Sequence, residues 1–274
     1  MSPSNEKLEP PKEASPEHGA YLIPAYNPGK LLPRVIEDLK STLTKSTITD
    51  RPIIVIIDDG STDETAKLED SALTILRHQS NRGKGAALQT GLAWALTHNV
   101  QTVVTLDADG QHPAEEAVKL MHSKAPREAL ILAVRDLKKA GAPRANQCSN
   151  RFSNFMLSLM GGQGLIDTQC GLRRYPVKQT LALGTTHPGY AFESDLVLRA
   201  ARKGLTIVHE NSRVRYPSED ERLSYFDSVK DPFQIVMRTL LTTFTVPHFR
   251  GTRRWGRRAI YVVLAALVAS HFLS

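Results

Sequence analysis

The chain has 274 residues, 41% hydrophobic and 23% charged, which suits one large α/β domain or two small ones and excludes disorder of the whole. Its formal net charge is +7 and its pI is near 9.4. Anionic partners such as nucleotides, lipid phosphates or a membrane surface are therefore favoured, while nucleic acid is not expected without a basic stripe carrying interleaved aromatics.

Two cysteines, Cys148 and Cys170, make neither a disulfide framework nor a metal-ligand pair, so a reducing, cytosolic setting is expected. Residues 1–18 are rich in Pro, Glu, Ser and Lys, carry no apolar core of a signal peptide, and are expected to be disordered. A strand is predicted at 20–24, followed by a helix over 29–43. The run "PIIVII" at 52–57 reads as a strand buried on both faces. A helix capped by Ser61 or Thr62 is expected through 70. A short strand follows at 73–76, then a helix at 83–96 and a buried strand at 102–106. Pro113 opens a helix through about 123, and 129–134 is another strand. Alternating strands and helices imply a mostly parallel sheet covered on both faces.

After Gly141 the rhythm changes. An amphipathic helix is expected at 146–160, and "GGQGLIDTQCGLRRYP" reads as loop and short strand. A helix at 192–203, a strand at 205–210 and a long helix at 227–244 follow. No internal repeat is visible. The end of the chain is "RGTRRWGRR" and then the apolar "AIYVVLAALVASHFLS". That run falls short of the roughly 20 residues that span a bilayer. With its basic collar and Trp255 it suits an interfacial membrane anchor; the alternative is a helix packed on the core or on a second subunit.

Three polar loops fall at strand ends, where doubly wound sheets bind ligands: "PAYN" (24–27), "DDGSTD" (58–63) and "DADGQH" (107–112). Any one of them alone reads as a helix cap. Together on one edge they make a polar cleft. Asp107 and Asp109, two apart in an extended segment, point to one side and repel unless a cation or a shared proton intervenes. Such oxygen ligands suit Mg²⁺ or Mn²⁺ completed by water and substrate phosphates, and Gln111 adds a carbonyl on the same side. The glycine-rich "NRGKGAALQTGL" opens a helix without P-loop or dinucleotide-fingerprint spacing. Lys84 and that helix N-terminus are candidates to meet an anion; close helix–strand packing is the other reading.

These segments, with "GYAFESDLVLRAARKG", resemble in order and approximate spacing the family 2 glycosyltransferases, in particular the branch acting on dolichyl and polyprenyl phosphates, over roughly residues 20–240. The resemblance implies a GT-A fold, α/β and Rossmann-like, over 19–249; the residues of 250–274 read as a separate basic and apolar C-terminal helix. It further implies inverting transfer of one sugar from a nucleoside diphosphate sugar to a lipid phosphate on the cytoplasmic side of the membrane. Pro24, Ala25, Tyr26 and Asn27 would line the base and ribose, Asp58 and Asp59 would hold them, and Lys84, Asp107 and Ala108 would complete the donor site. Asp107 and Asp109 match the metal-binding DxD, with Gln111 a third ligand, and Asp109 counts among the catalytic residues. Arg135, Arg151 and Arg173 would face phosphates of donor or acceptor. An acceptor phosphate needs no general base; for an alcohol or glycan acceptor, Glu193 or Asp195 would serve.

The chain departs from the family pattern where "SHF" is frequent, having Ser224, Tyr225 and Phe226, and it lacks the QxxRW motif of processive synthases. A single transfer is therefore expected rather than polymerisation. The competing reading is a haloacid-dehalogenase-type phosphatase, whose D-x-D-G nucleophile motif "DADG" matches up to the unusual Gln111. A catalytically inert nucleotide-sugar binding module is the remaining alternative.

Overall fold

The computed structural model describes residues 19–46, 52–215 and 230–247, with side chains from 234 in the last stretch. Seven strands occur among these residues: β1 (Ala20–Ala25), β2 (Ile53–Asp58), β3 (Thr74–Arg77), β4 (Thr102–Thr105), β5 (Leu130–Arg135), β6 (Arg173–Pro176) and β7 (Ile207–Ser212). They form one sheet in the order β3-β2-β1-β4-β6-β5-β7. Pairing is parallel except at β6, which runs antiparallel between β4 and β5. From β1 the chain winds outward to β2 and β3, then returns to lay β4 on the other side of β1. The carboxyl ends of β1 and β4 thus flank a topological switch point, where such sheets bind ligands.

The helices are α1 (Leu31–Lys45), α2 (Lys84–Thr97), α3 (Ala114–Met121), α4 (Arg144–Gly161), α5 (Val177–Ala182), α6 (Ala191–Lys203) and α7 (Lys230–Thr245). Successive strand residues point to opposite faces, so β1 serves two cores. Ala20 and Leu22 pack with Leu88 and Leu92 of α2 and Leu196 of α6, whereas Tyr21 and Ile23 pack with Leu32 and Leu39 of α1 and Leu120 of α3. Helices on both faces explain why β2 is a continuous β-branched run rather than an alternating one.

Three expectations change. The helix expected over 61–70 shrinks to one 3₁₀ turn at Glu64–Lys67, capped by Asp63, whose side chain accepts the Thr65 N–H at 3.0 Å. Ser61 and Thr62 are occupied elsewhere: the Asn27 N–H donates to Ser61 Oγ at 3.0 Å, and the Thr62 N–H to Asn27 Oδ1 at 2.7 Å. Only Thr65 is buried in that turn, so no apolar face sustains a longer helix. The strand expected at 205–210 runs two residues later, pairing with β5 from Leu130↔Ile207 to Arg135↔Ser212. The short helix α5 was not foreseen.

The segments expected to be disordered (1–18) and C-terminally helical (250–274) lie outside the described residues, as do 227–229 at the start of the expected last helix. Among the described residues no helix is long and apolar enough to cross a membrane.

Candidate active site

The ends of β1, β2 and β4 and the start of α2 enclose a cleft of about 570 Å³. Its lining includes Pro24, Ala25, Tyr26, Asp59, Lys84, Asp107, Ala108, Asp109 and Gln111. Nine of the residues singled out from sequence therefore meet in one place. Asn27 and Asp58, expected beside them, are not in the lining. Asn27, at φ +44°, accepts the Thr62 and Asp63 N–H groups on Oδ1 and ties the first loop to the second. Asp58 is buried, accepts the Ser61 N–H at 2.9 Å and faces Arg77 at 3.6 Å. Both order the loops behind the cleft, each accepting backbone N–H groups of the second loop on its Oδ1.

Asp59 fastens the glycine-rich loop. Its Oδ2 accepts the Gly83 N–H at 2.7 Å and its Oδ1 the Arg82 N–H at 3.0 Å, while His78 Nδ1 lies 2.5 Å from Oδ1. Beyond that loop the N-terminus of α2 is packed closely against the segment before α6. The Ala86 N–H donates to the Pro188 carbonyl at 2.8 Å. A Cβ on Gly85 would lie 2.4 Å from the His187 carbonyl oxygen. The glycines thus serve close packing, and only the Lys84 side chain carries the charge into the cleft.

Lys84 Nζ stands 2.7 Å from Asp107 Oδ1 and 3.0 Å from Glu193 Oε2. Burial works against its charge, but Asp107 and Glu193 overcome that and hold the ammonium above its usual range. Burial likewise opposes ionisation of Asp107; Lys84 prevails and keeps that carboxyl below its ordinary value. Asp109 has no such partner. Burial, and then the Asp107 charge, push it up to about 6, while its Oδ1 accepts the Gln111 N–H at 2.9 Å. An uncompensated carboxylate beside a compensated one is a fitting seat for a divalent ion. Among the described residues no cluster of three or more His, Cys, Asp or Glu is assembled. The protein offers two carboxylates and Gln111, which leaves room for water and phosphate oxygens, the donor set of Mg²⁺ or Mn²⁺. Behind this turn lies His112, buried, its pKa pushed down to about 4 by burial, with Nε2 3.7 Å from Cys170 Sγ. It is a neutral wedge that the sequence motif did not disclose.

The remaining candidates separate. Glu193, in the first turn of α6, reaches the cleft through Lys84. Asp195 does not: it is 0% exposed, accepts Arg199 Nε at 2.9 Å, Arg238 Nη2 at 3.2 Å and the Thr242 hydroxyl, and so clasps α7 to α6. This removes it as a base. Arg173, 1% exposed, gives its N–H groups to the carbonyls of Cys170, Thr168 and Glu193 at 2.8, 2.8 and 3.0 Å. It is a strut of β6 and not a phosphate ligand. Arg135 and Arg151 line a second cavity of about 940 Å³ at the ends of β5 and β7, together with Lys119, Lys138, Lys139 and Arg213. Arg135 is held there by a two-pronged pair with Asp167, both contacts at 2.8 Å, and Asn150 supports the same carboxylate at 2.7 Å. Neither Asp167 nor Asn150 carried a signal in the sequence beyond being polar.

The family model described as Glycosyl transferase family 2 matches residues 21–180, from β1 into α5, and takes in every residue lining the cleft except Tyr190. The chain belongs to this family. It is 30% identical over 193 residues to a protein of Methanocaldococcus jannaschii, covering 68% of this chain and 76% of the relative. It is 28% identical over 205 residues to a polyprenol monophosphomannose synthase of Mycolicibacterium smegmatis, covering 68% and 73%. Among solved structures, glucosyl-3-phosphoglycerate synthase from Mycobacterium tuberculosis in complex with uridine diphosphate superposes with a TM-score of 0.62 at 19% identity, over 85% of this chain and 82% of that one. The same synthase with Mn²⁺, uridine diphosphate and phosphoglyceric acid gives 0.59 at 17%, over 85% and 80%. The fold of this family 2 glycosyltransferase is thus the GT-A-like α/β architecture with a mostly parallel central sheet. The chain is an enzyme of nucleotide-sugar transfer, which overturns the phosphatase and inert-module readings.

Proposed function

We propose that this family 2 glycosyltransferase transfers one sugar, with inversion, from a nucleoside diphosphate sugar to a polyprenyl phosphate or similar lipid phosphate at the cytoplasmic face of a membrane. The observation that carries this reading is the basic second cavity with apolar residues beside it. Arg135 and Arg151 line it, Ile166 forms part of its wall, and Phe152 and Phe155 on α4 are 53% and 61% exposed. A phosphate headed by cations and followed by an apolar chain fits that surface. The charge of Arg135 also reaches Asp107 and Asp109, so the acceptor phosphate would sit close to the donor cleft.

In this mechanism Pro24, Ala25 and Tyr26 wall the nucleoside, and Asp59 holds the loop that presents Lys84 to the diphosphate. Asp107 and Asp109, with Gln111, would hold Mg²⁺ or Mn²⁺, which supplies Lewis-acid stabilisation of the departing diphosphate. Arg135, fixed by Asp167, and Arg151 orient the acceptor phosphate. That phosphate is already anionic, so no base is needed, in keeping with Asp195 being buried and Glu193 engaged by Lys84. The basic 250–258 and apolar 259–274 would anchor the enzyme at the membrane surface. The solved synthase with phosphoglyceric acid favours a second reading, a soluble acceptor hydroxyl with Glu193 as base.

The test is transfer from UDP-, GDP- and TDP-sugars, with Mg²⁺ or Mn²⁺, to undecaprenyl phosphate and to phosphoglycerate, followed by extraction of the product into organic solvent. Labelled sugar in the organic phase, lost in Asp109→Ala, is expected. Transfer to phosphoglycerate alone would overturn the lipid-phosphate reading. Deleting 250–274 should shift the enzyme out of the membrane fraction; unchanged partitioning would overturn the anchor.

A further inference from the structure

We propose that Lys84 is a resident cation of the donor cleft that competes with the divalent ion for Asp107. In the free enzyme this keeps ion affinity low, and Glu193 is the berth that retains Lys84 when it gives Asp107 up. The inference rests on the reading of Asp107 and Asp109 as the ion site.

The geometry shows how Lys84 holds Asp107. Asp107 Oδ2 lies on the side of Gly171, where an added Cβ would come within 2.1 Å. Oδ1 is the oxygen that Lys84 holds, at 2.7 Å. Ion and ammonium would therefore share one carboxylate, and two cations on it repel. The second acceptor, Glu193 Oε2 at 3.0 Å, comes from a different element, the first turn of α6. Lys84 can leave Asp107 without losing every partner.

The backbone beneath Lys84 is held fast. Asp59 takes the Gly83 N–H at 2.7 Å, and Pro188 takes the Ala86 N–H at 2.8 Å. Exchange is thus confined to the four-carbon stem of the lysine, a flexible carrier of a compact charge. A nucleoside diphosphate changes the balance twice: it gives the ammonium a third anion and gives the ion further oxygen ligands. Ion and nucleotide then raise each other's affinity, as linkage requires.

The experiment is Mn²⁺ titration of the full chain without nucleotide, read by the electron paramagnetic resonance signal of free Mn²⁺. Lys84→Met is expected to bind Mn²⁺ at least tenfold more tightly than the wild type. Lys84→Gln, which keeps a hydrogen-bond donor at this position without the charge, is expected to do the same. Arg82→Met, two residues away and exposed, controls for charge acting through space and should gain less than threefold. Unchanged or weaker binding in the Lys84 variants, or an equal gain in Arg82→Met, overturns the inference. Asp109→Asn separates the two levels of the argument. If it still binds Mn²⁺, the ion-site reading fails. If it loses Mn²⁺ while Lys84→Gln shows no gain, only the role of Lys84 fails.

Discussion

Gly171 and Asp107 meet with no room for one more carbon: a Cβ on Gly171 would lie 2.1 Å from Asp107 Oδ2 and 2.8 Å from its Cγ. Gly171 leads into β6, and its carbonyl accepts the Thr105 hydroxyl at 2.7 Å. The antiparallel strand thereby sets how far the first DxD carboxylate stands from the sheet. Gly171→Ala should turn Asp107 aside. A misplacement of about 1 Å lowers turnover on the order of 100-fold, and Mn²⁺ affinity should fall with it. Wild-type turnover in this variant would show that the position of Asp107 is not what the reaction requires.

Asp109 predicts a trade of stability for function. Its carboxyl is pushed from 3.8 up to about 6, so the folded protein holds that proton more tightly than the unfolded chain. The ion-free fold is then favoured below about pH 4, loses stability as pH rises to about 6, and bears the full cost above that. Asp109→Asn removes the charge. In EDTA at pH 7.5 it should be more stable than the wild type by on the order of 2 kcal/mol, with the gap closing towards pH 4. Thermal melts across that range measure it; a wild type equal to the variant at pH 7.5 would contradict the burial of an uncompensated charge.

Asp195 predicts the opposite division of roles. Removing one partner of a buried ion pair costs about 3–5 kcal/mol, so Asp195→Ala should unfold in markedly less denaturant as α7 loses its clasp. Turnover per folded molecule should drop less than about tenfold, whereas loss of a general base costs roughly 10²–10⁴-fold. A stable but inactive variant would return Asp195 to the catalytic list.

The two cysteines differ in burial and therefore in reactivity. Cys148 is exposed and Cys170 buried, and burial pushes the Cys170 thiol up to about 12. The thiolate is the nucleophile, so Cys170 is both covered and protonated at pH 8. Titration with a thiol reagent should count one group in the native enzyme and two in denaturant. Two fast groups without denaturant would show that the β6 region opens readily.

Much of the fold was legible because its signals are local. β2 opens with five successive β-branched residues, α2 is capped by a glycine, and each is readable from neighbours in the chain. What was missed depends on distant partners. The 3₁₀ turn at Glu64–Lys67 is short because Asn27, more than thirty residues earlier, takes the backbone that would have begun a helix. The antiparallel insertion of β6 is likewise invisible locally, since Arg173–Pro176 makes no ladder until β4 and β5 are both in place. Asp167 and Asn150 were missed for the same reason: they matter only through Arg135.

The sequence by itself determined the family, the α/β alternation and the meeting of three polar loops on one sheet edge, because parallel buried strands leave their loops nowhere else to go. Only the tertiary structure decided which polar groups serve the cleft. Glu193 and Asp195 lie two residues apart on α6, and at 3.6 residues per turn they face opposite ways. One meets Lys84 at the cleft and the other is sealed against α7. Arg135 and Arg173 are divided in the same manner, one lining a cavity and the other bonded to carbonyls inside the sheet. A charged side chain declares its chemistry in the sequence; whether that chemistry is spent on the fold or left for a substrate depends on which acceptors and donors the rest of the chain brings to it.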